Sequence, residues 1–389
     1  MAKYDIAILT SYFEIGLFQK GMGYRFWEFA QTLADSGMKA LIIAPNSSKF
    51  IHPNVKILIR DSLSIGKISE LSEVFVFCLH EDVSLVSNLR KKDKLLIYDS
   101  VLTPIEGLNF QKTLDMKDKK DKNEFFQALV KKHRFFNRIS DYYLVGTEQE
   151  KLLKIGELLG SNSIDYKDYN TLANLIVLLP VCGFNRHSTQ IKLSKKTNNL
   201  VLWNGGLWNH YNYSPLIDSV VKLRNAGFEI KLRFMYKNST RIYEQIRACI
   251  KRERLENIVE IPKPDEQNPD FFEKQLIINK SRTLVLLNEH TLLSEMVLPM
   301  RLREALLFEK PMIVSDFGVL GSFVKKHKIG ITVQNSMVDI SNALKVMFEN
   351  KRVFSTYKEN IRKIREDFYY ENFVTQIIKF IKNSRLKRQ

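Results

Sequence analysis

Cysteine is scarce. The chain has three in 389 residues, Cys78, Cys182 and Cys249, far apart and in apolar surroundings. None has metal-ligand spacing and together they make no disulfide framework, so a reducing compartment is expected. Long apolar runs are missing too. No stretch approaches the ~18 uninterrupted apolar residues of a membrane span. The opening Met1-Ala2-Lys3-Tyr4-Asp5 runs directly into a strand-like segment, without the apolar region of a secretion signal. The expectation is a cytoplasmic protein, soluble or peripheral on the inner face of a membrane. Apolar residues are otherwise plentiful, at 44% hydrophobic and 11% aromatic. That supports a sizeable core and excludes wholesale disorder.

Negative charge is in short supply. Lys and Arg number 60 against 43 Asp and Glu, a net charge of +17. Such a balance attracts anions: phosphorylated substrates, an anionic membrane surface or nucleic acid. A lysine-rich surface with no partner gives the same count. No basic segment with aromatic interleaving stands out, so nucleic acid ranks lowest among these partners.

Short apolar segments alternate with helical ones. Strands are predicted at 4–9, 39–44, 55–59, 74–78, 95–98, 142–145 and 176–179, and helices at 24–36, 125–139 and 148–159. This is the pattern of a parallel sheet covered on both faces. Residues 184–199 are polar and basic and read as a linker. The alternation restarts with strands at 200–203, 230–235, 258–261, 284–287, 312–314 and 331–333. Helices fit 214–225, 241–254, 270–279, 300–308 and 338–348, and one long helical run covers 354–381. The expected fold class is therefore α/β, with two doubly wound Rossmann-like domains at 1–183 and 200–353. A C-terminal helix with a basic tail, 354–389, is expected to pack back toward the first domain. The charged run Asp115–Glu124 reads as an anion-facing loop or, more simply, as a solvated helix start.

Each domain has glycines after its first strand. Gly21 and Gly23 open a helix that continues through Arg25. They either let a ligand approach the helix N-terminus or supply two positive-φ positions. Asn204-Gly205-Gly206 stands at the matching place in the second domain. In doubly wound sheets ligands bind outside the carboxyl ends of the strands. Trp208, His210 and Tyr211 follow, and either stack on a base or sugar or pack a wall. A third stretch, Leu292–Asp316, carries Arg301, Arg303 and Glu304 in the first turns of a helix after Pro299. Arginines there suit a pyrophosphate and a carboxylate suits ribose hydroxyls; a surface salt-bridge pattern would look alike.

These segments, taken in order, resemble the GT-B glycosyltransferases, and within them glycosyltransferase family four. The resemblance runs over most of the chain. It rests on "GMGYRFWEFAQTLADSGMKALIIAP", "ISDYYLVGTEQEKLLKIG", "LLPVCGFN", "LVLWNGGLWNHYNYSPLIDSVVKL" and "MRLREALLFEKPMIVSD". The fourth is similar to a bacterial surface-polysaccharide branch that writes Trp-Gly-Gly-Gly followed by aromatics. The resemblance implies two domains facing across a cleft and a retaining, metal-independent transfer from a nucleotide-sugar to a glycan or lipid-linked acceptor. No Asp-x-Asp stands in a plausible strand-end loop, which agrees with no metal and no further cofactor.

The resemblance also implies roles. Glu304 matches the second Glu of the family's Glu-(seven residues)-Glu motif and would hold the donor ribose. The first falls on Met296, leaving Glu295 one residue away. The basic pair that usually follows the second glycine loop is replaced by Trp208, Asn209 and His210. Gly205, Gly206, Arg301, Arg303 and Lys237 are then the candidates for the diphosphate, and Gly318 for the sugar. Asp99 falls near the family's cleft histidine, and His80 is a second catalytic candidate. Gly21, Gly23 and Arg25 are expected on the acceptor side.

Overall fold

The computed structural model describes residues 3–388 apart from 19–20, 102, 108–115, 117, 162–170, 195–197, 209–210 and 238–239. The chain divides into two compact units, Met1–His187 with Phe368–Gln389, and Ser188–Asp367.

The first unit is built on a parallel sheet of seven strands: β1 (Ile6–Leu9), β2 (Ala40–Ala44), β3 (Val55–Ile59), β4 (Val74–Cys78), β5 (Leu95–Asp99), β6 (Tyr142–Val145) and β7 (Ile176–Leu178). Its order is β3-β2-β1-β4-β5-β6-β7. Every residue of β1, β2, β4, β5 and β6 is buried. That is why these strands read as unbroken apolar runs: helices cover both faces. The main helices are α1 (Met22–Asp35), α2 (Ile65–Leu71), α3 (Val83–Lys91), α4 (Lys119–Ile139) and α5 (Glu148–Gly160). Asp82, Asp118 and Thr147 cap α3, α4 and α5 by accepting backbone N–H bonds, which satisfies otherwise orphaned donors. The charged run is therefore partly helix from Lys119 onward; Asp115 and residue 117 lie outside the described residues.

The second unit holds six parallel strands: β8 (Leu200–Trp203), β9 (Lys231–Phe234), β10 (Val259–Glu260), β11 (Thr283–Leu286), β12 (Met312–Ser315) and β13 (Gly330–Val333). Their order is β10-β9-β8-β11-β12-β13. Helices α6 (Ser214–Asn225), α7 (Thr240–Arg252), α8 (Phe271–Lys280), α9 (Leu292–Met296), α10 (Arg301–Leu307), α11 (Gly318–His327), α12 (Met337–Glu349) and α13 (Lys351–Ile364) connect and cover them. Strand order reverses once in each sheet, between β1 and β4 and between β8 and β11. The carboxyl ends at such a reversal splay apart and leave a crevice.

The single helix expected over 354–381 is two. The first part, α13, stays with the second unit. A 3-10 turn at Arg365–Phe368 ends it, and α14 (Glu371–Arg388) belongs to the first unit. The cause is the aromatic run Phe368-Tyr369-Tyr370. Phe184 N–H donates to Phe368 O at 3.1 Å and Tyr370 N–H to Phe184 O at 2.9 Å, a short strand-like tie that interrupts the helix. The same tie takes residues 184–187 out of the expected linker and into the first unit. Tyr370 is fully buried, and its ring occupies the space a side chain at Gly183 would need.

Candidate functional site

In the second unit the crevice is formed by the segments after β8 and β11. Trp203 ends β8 fully buried, in ring contact with Tyr211, Tyr213 and Phe234 at centroid distances of 5.3, 4.7 and 6.2 Å. The backbone then turns through Asn204-Gly205-Gly206 and crosses to β11, where Asn212 N–H donates to Leu287 O at 3.0 Å. Gly205 does not have a positive φ. It is glycine because something comes close: the Arg301 guanidinium lies where its Cβ would stand. Arg301, from α10, donates through Nη2 to Gly206 O at 2.7 Å. Its guanidinium carbon sits 4.4 Å from the Tyr211 ring centroid and 5.1 Å from that of Trp203. Nη1 is buried without a hydrogen-bond partner, and so are both polar atoms of Asn204. A cation thus reaches the glycine loop from another element, since the loop carries none of its own.

The other expected donor-side residues divide. Glu304, 3% exposed, accepts from Lys274 Nζ of α8 at 2.6 Å, and Arg303 Nη1 stands 3.9 Å from the same oxygen. Gly318 has φ +72° and its missing side chain makes room for the Ser294 carbonyl of α9. Glu295 lies at the surface, paired with His290 Nε2 at 2.8 Å. Lys237 Nζ donates to Pro264 O at 2.5 Å. The Trp208 carbonyl accepts from Tyr213 Oη at 2.9 Å, which anchors the loop. Tyr211 packs on Trp203 and Arg301, so its ring is wall. Asn209 and His210 lie outside the described residues.

The first unit places Arg25 and Asp99 together. Arg25 Nε and Nη2 donate to the two Asp99 oxygens at 2.7 and 3.1 Å, and Nη1 donates to Leu179 O and Pro180 O at 2.8 and 3.0 Å. Both side chains are 1% exposed. The arginine expected on the acceptor side and the aspartate expected to be catalytic thus form one buried ion pair. The two groups spend their hydrogen-bonding capacity on each other and on the β7 end, away from solvent. Beside them Glu150 of α5 accepts from Gly146 N–H at 2.6 Å, with Oε1 left buried and unpartnered. Burial pushes its carboxyl up to about 7, against the Gly146 hydrogen bond and the Arg25 charge.

His80, after β4, lies between the rings of Tyr12 and Phe13 at centroid distances of 5.7 and 5.3 Å. Burial, then the Lys132 charge, lowers its pKa to about 4, so the ring is neutral at pH 7. Close by, Glu81 accepts from Ser11 Oγ at 2.5 Å. Gly21 has φ +46° with open space around it, so the backbone conformation calls for glycine there. Gly23 lies inside α1 and has no positive φ.

Sequence reasoning missed Asn204, Trp203, Lys274 and Glu150. Asn204 adjoins the glycine pair, which was a usable signal. Lys274 sits 30 positions before Glu304, and only the fold brings such residues together. No helix among the described residues is long and apolar enough to cross a membrane.

No protein-family model matches the chain, and no curated protein does. Solved structures do. Sucrose-phosphate synthase from Thermosynechococcus elongatus aligns with a TM-score of 0.62 at 13% identity, over 98% of this chain and 99% of that one. The Anabaena protein HepE in complex with UDP-glucose aligns with a TM-score of 0.63 at 12% identity, over 99% and 100%. A glycosyltransferase from Rickettsia africae gives 0.62 at 12% identity, over 98% of each chain. At such identities the likeness is one of fold. The chain has the two-sheet α/β architecture of the GT-B glycosyltransferases.

Proposed function

We propose that the protein is a nucleotide-sugar-dependent glycosyltransferase whose donor site is the β8–β11 crevice. The observation that carries this reading is Arg301, fixed on the Gly205-Gly206 loop by Gly206 O, Trp203 and Tyr211, with Nη1 unspent. A guanidinium at a glycine loop suits a diphosphate. HepE, a protein of the same fold, is described in complex with UDP-glucose and with UDP and glucose.

In this reading the bond from the anomeric carbon to the diphosphate oxygen breaks, and the leaving oxygen takes the electron pair. Arg301 and the loop's backbone N–H groups stabilise that charge, as fixed donors do best where water is excluded. The acceptor hydroxyl oxygen forms the new bond on the face the diphosphate left, so the configuration is retained. Its proton passes to the departing diphosphate. No metal is required, because the arginine supplies the counter-charge. Glu304 takes the donor ribose, its carboxylate held in place by the 2.6 Å bond from Lys274 Nζ. The acceptor is a glycan or lipid-linked saccharide, and the +17 net charge favours work against an anionic membrane surface.

A second reading, a non-catalytic scaffold of this fold, is favoured by one observation: Asp99 is locked to Arg25. Calorimetric titration with UDP-glucose separates the two. The enzyme reading expects binding that Arg301→Gln weakens by about tenfold or more. Binding unaffected by that change would remove Arg301 from the site.

A further inference from the structure

Asn204 is the only side chain among the described residues whose donor and acceptor atoms are both buried without a partner. It is 3% exposed. Native proteins rarely leave such groups unmet, because each has given up water for nothing. Its neighbour in the chain, Gly205, is the residue against which Arg301 lies, and Arg301 Nη1 is unmet as well. Three unsatisfied atoms therefore collect at one strand end, at the point where the strand order of the sheet reverses.

Their chemistry is specific. Arg301 Nη1 asks for an anion. The Asn204 carboxamide asks for a partner that donates to Oδ1 and accepts from Nδ2. A vicinal diol does this, because one hydroxyl donates while the other accepts. The imide edge of a pyrimidine does it too, but in a nucleotide that edge lies a whole ribose away from the phosphates. Asn204 and Gly205 are adjacent residues, so the group beside the phosphate is the one within reach.

We propose that Asn204 reads a vicinal diol adjoining the phosphate held by Arg301, and so selects the sugar portion of the ligand. The diol belongs either to the ribose or to the transferred hexose. This inference rests on the donor-site reading above. It goes further by assigning sugar recognition to a residue of the loop itself.

The test uses the full chain and titrates UDP, UDP-glucose, 2′,3′-dideoxy-UDP and UDP-2-deoxyglucose against the parent protein, Asn204→Ala and Asn204→Ser. The parent is expected to lose about tenfold in affinity for whichever deoxy analogue lacks the diol, as for a donor site deprived of its partner. Asn204→Ala is expected to bind the matching full ligand about tenfold more weakly and to ignore the deoxygenation. Without ligand, Asn204→Ala should melt higher than the parent, since an unmet amide has gone. A residue kept for packing alone would melt lower. The ribose and the hexose are told apart by which analogue suffers.

Two results overturn the inference separately. If the parent binds UDP-glucose, Arg301→Gln weakens it and Asn204→Ala does not, the donor-site reading stands and the amide serves only a buried water. If the parent binds none of the four ligands and no GDP-, TDP- or CMP-sugar either, both readings fall. Asn204→Ser, smaller and still polar, covers the case in which the alanine variant does not fold.

Discussion

At the scale of single residues, two groups make the account testable. Glu150 has its carboxyl raised from an ordinary 4.5 to about 7, with burial as the leading cause. Between those values the folded chain holds a proton that the unfolded chain has released. Stability from this group is therefore present below about pH 4.5 and is lost as pH rises through 7. Glu150→Gln removes the titration. Relative to the parent it should gain on the order of 3 kcal/mol above pH 7 and little at pH 4.5. Urea denaturation at several pH values checks this, and a difference that stays flat with pH would contradict it. Gly205 makes the second test. Gly205→Ala drives a methyl into the Arg301 guanidinium. It should cost about 1–3 kcal/mol by overpacking, and it should weaken nucleotide binding because Arg301 must move. The melting temperature and a UDP titration measure both. A variant with parental binding would show that Arg301 does not need its present seat. Arg25, Asp99 and Glu304 show where single residues stop being legible. Each is the right type for a site, yet their meaning comes from partners 74 and 30 positions away in the chain.

Elements were more legible than residues, and for a physical reason. Strands buried on both faces are apolar throughout, so β1, β2, β4, β5, β6, β11 and β12 left short apolar runs at places close to where they form. Helices α6 and α12 left turn-by-turn apolar faces, and both, like α8, ended within a residue or two of expectation. The short α2 and α3, seven and nine residues long, span too few turns for a periodic signal to register. The long C-terminal run misled because a tertiary tie breaks it. Helical periodicity continues through Arg365–Tyr370, but pairing of Phe184 with Phe368 and Tyr370 wins. That tie is itself a prediction. Tyr370 is fully buried against Gly183, with Phe29 6.4 Å away. Tyr370→Ala should destabilise the first unit by about 3–5 kcal/mol through the cavity it leaves. Its signature is earlier melting of a first-unit probe such as Trp27 fluorescence. Unchanged melting would mean that the buried Tyr370 ring contributes no stability there.

For the whole molecule, the sequence pointed to two α/β units and to glycine loops at matching strand ends, because both follow from local patterns. It could not tell what approached those loops. At Gly205 the answer is an arginine from α10; at Gly21 it is a backbone turn. The central claim is that the second unit binds a nucleotide-sugar at this loop. The most direct measurement is a thermal-shift comparison of the parent protein and Arg301→Gln with UDP-, GDP-, TDP- and CMP-sugars, without added metal. A ligand at ~100 times its dissociation constant adds about 2.7 kcal/mol to the folded state. The account predicts that one nucleotide class raises the parent's melting temperature by several degrees, about 5 °C for a domain of this size, and that the variant, with affinity down about tenfold or more, loses about half of that shift or more. No shift with any donor in the parent, or an equal shift in both proteins, would contradict it.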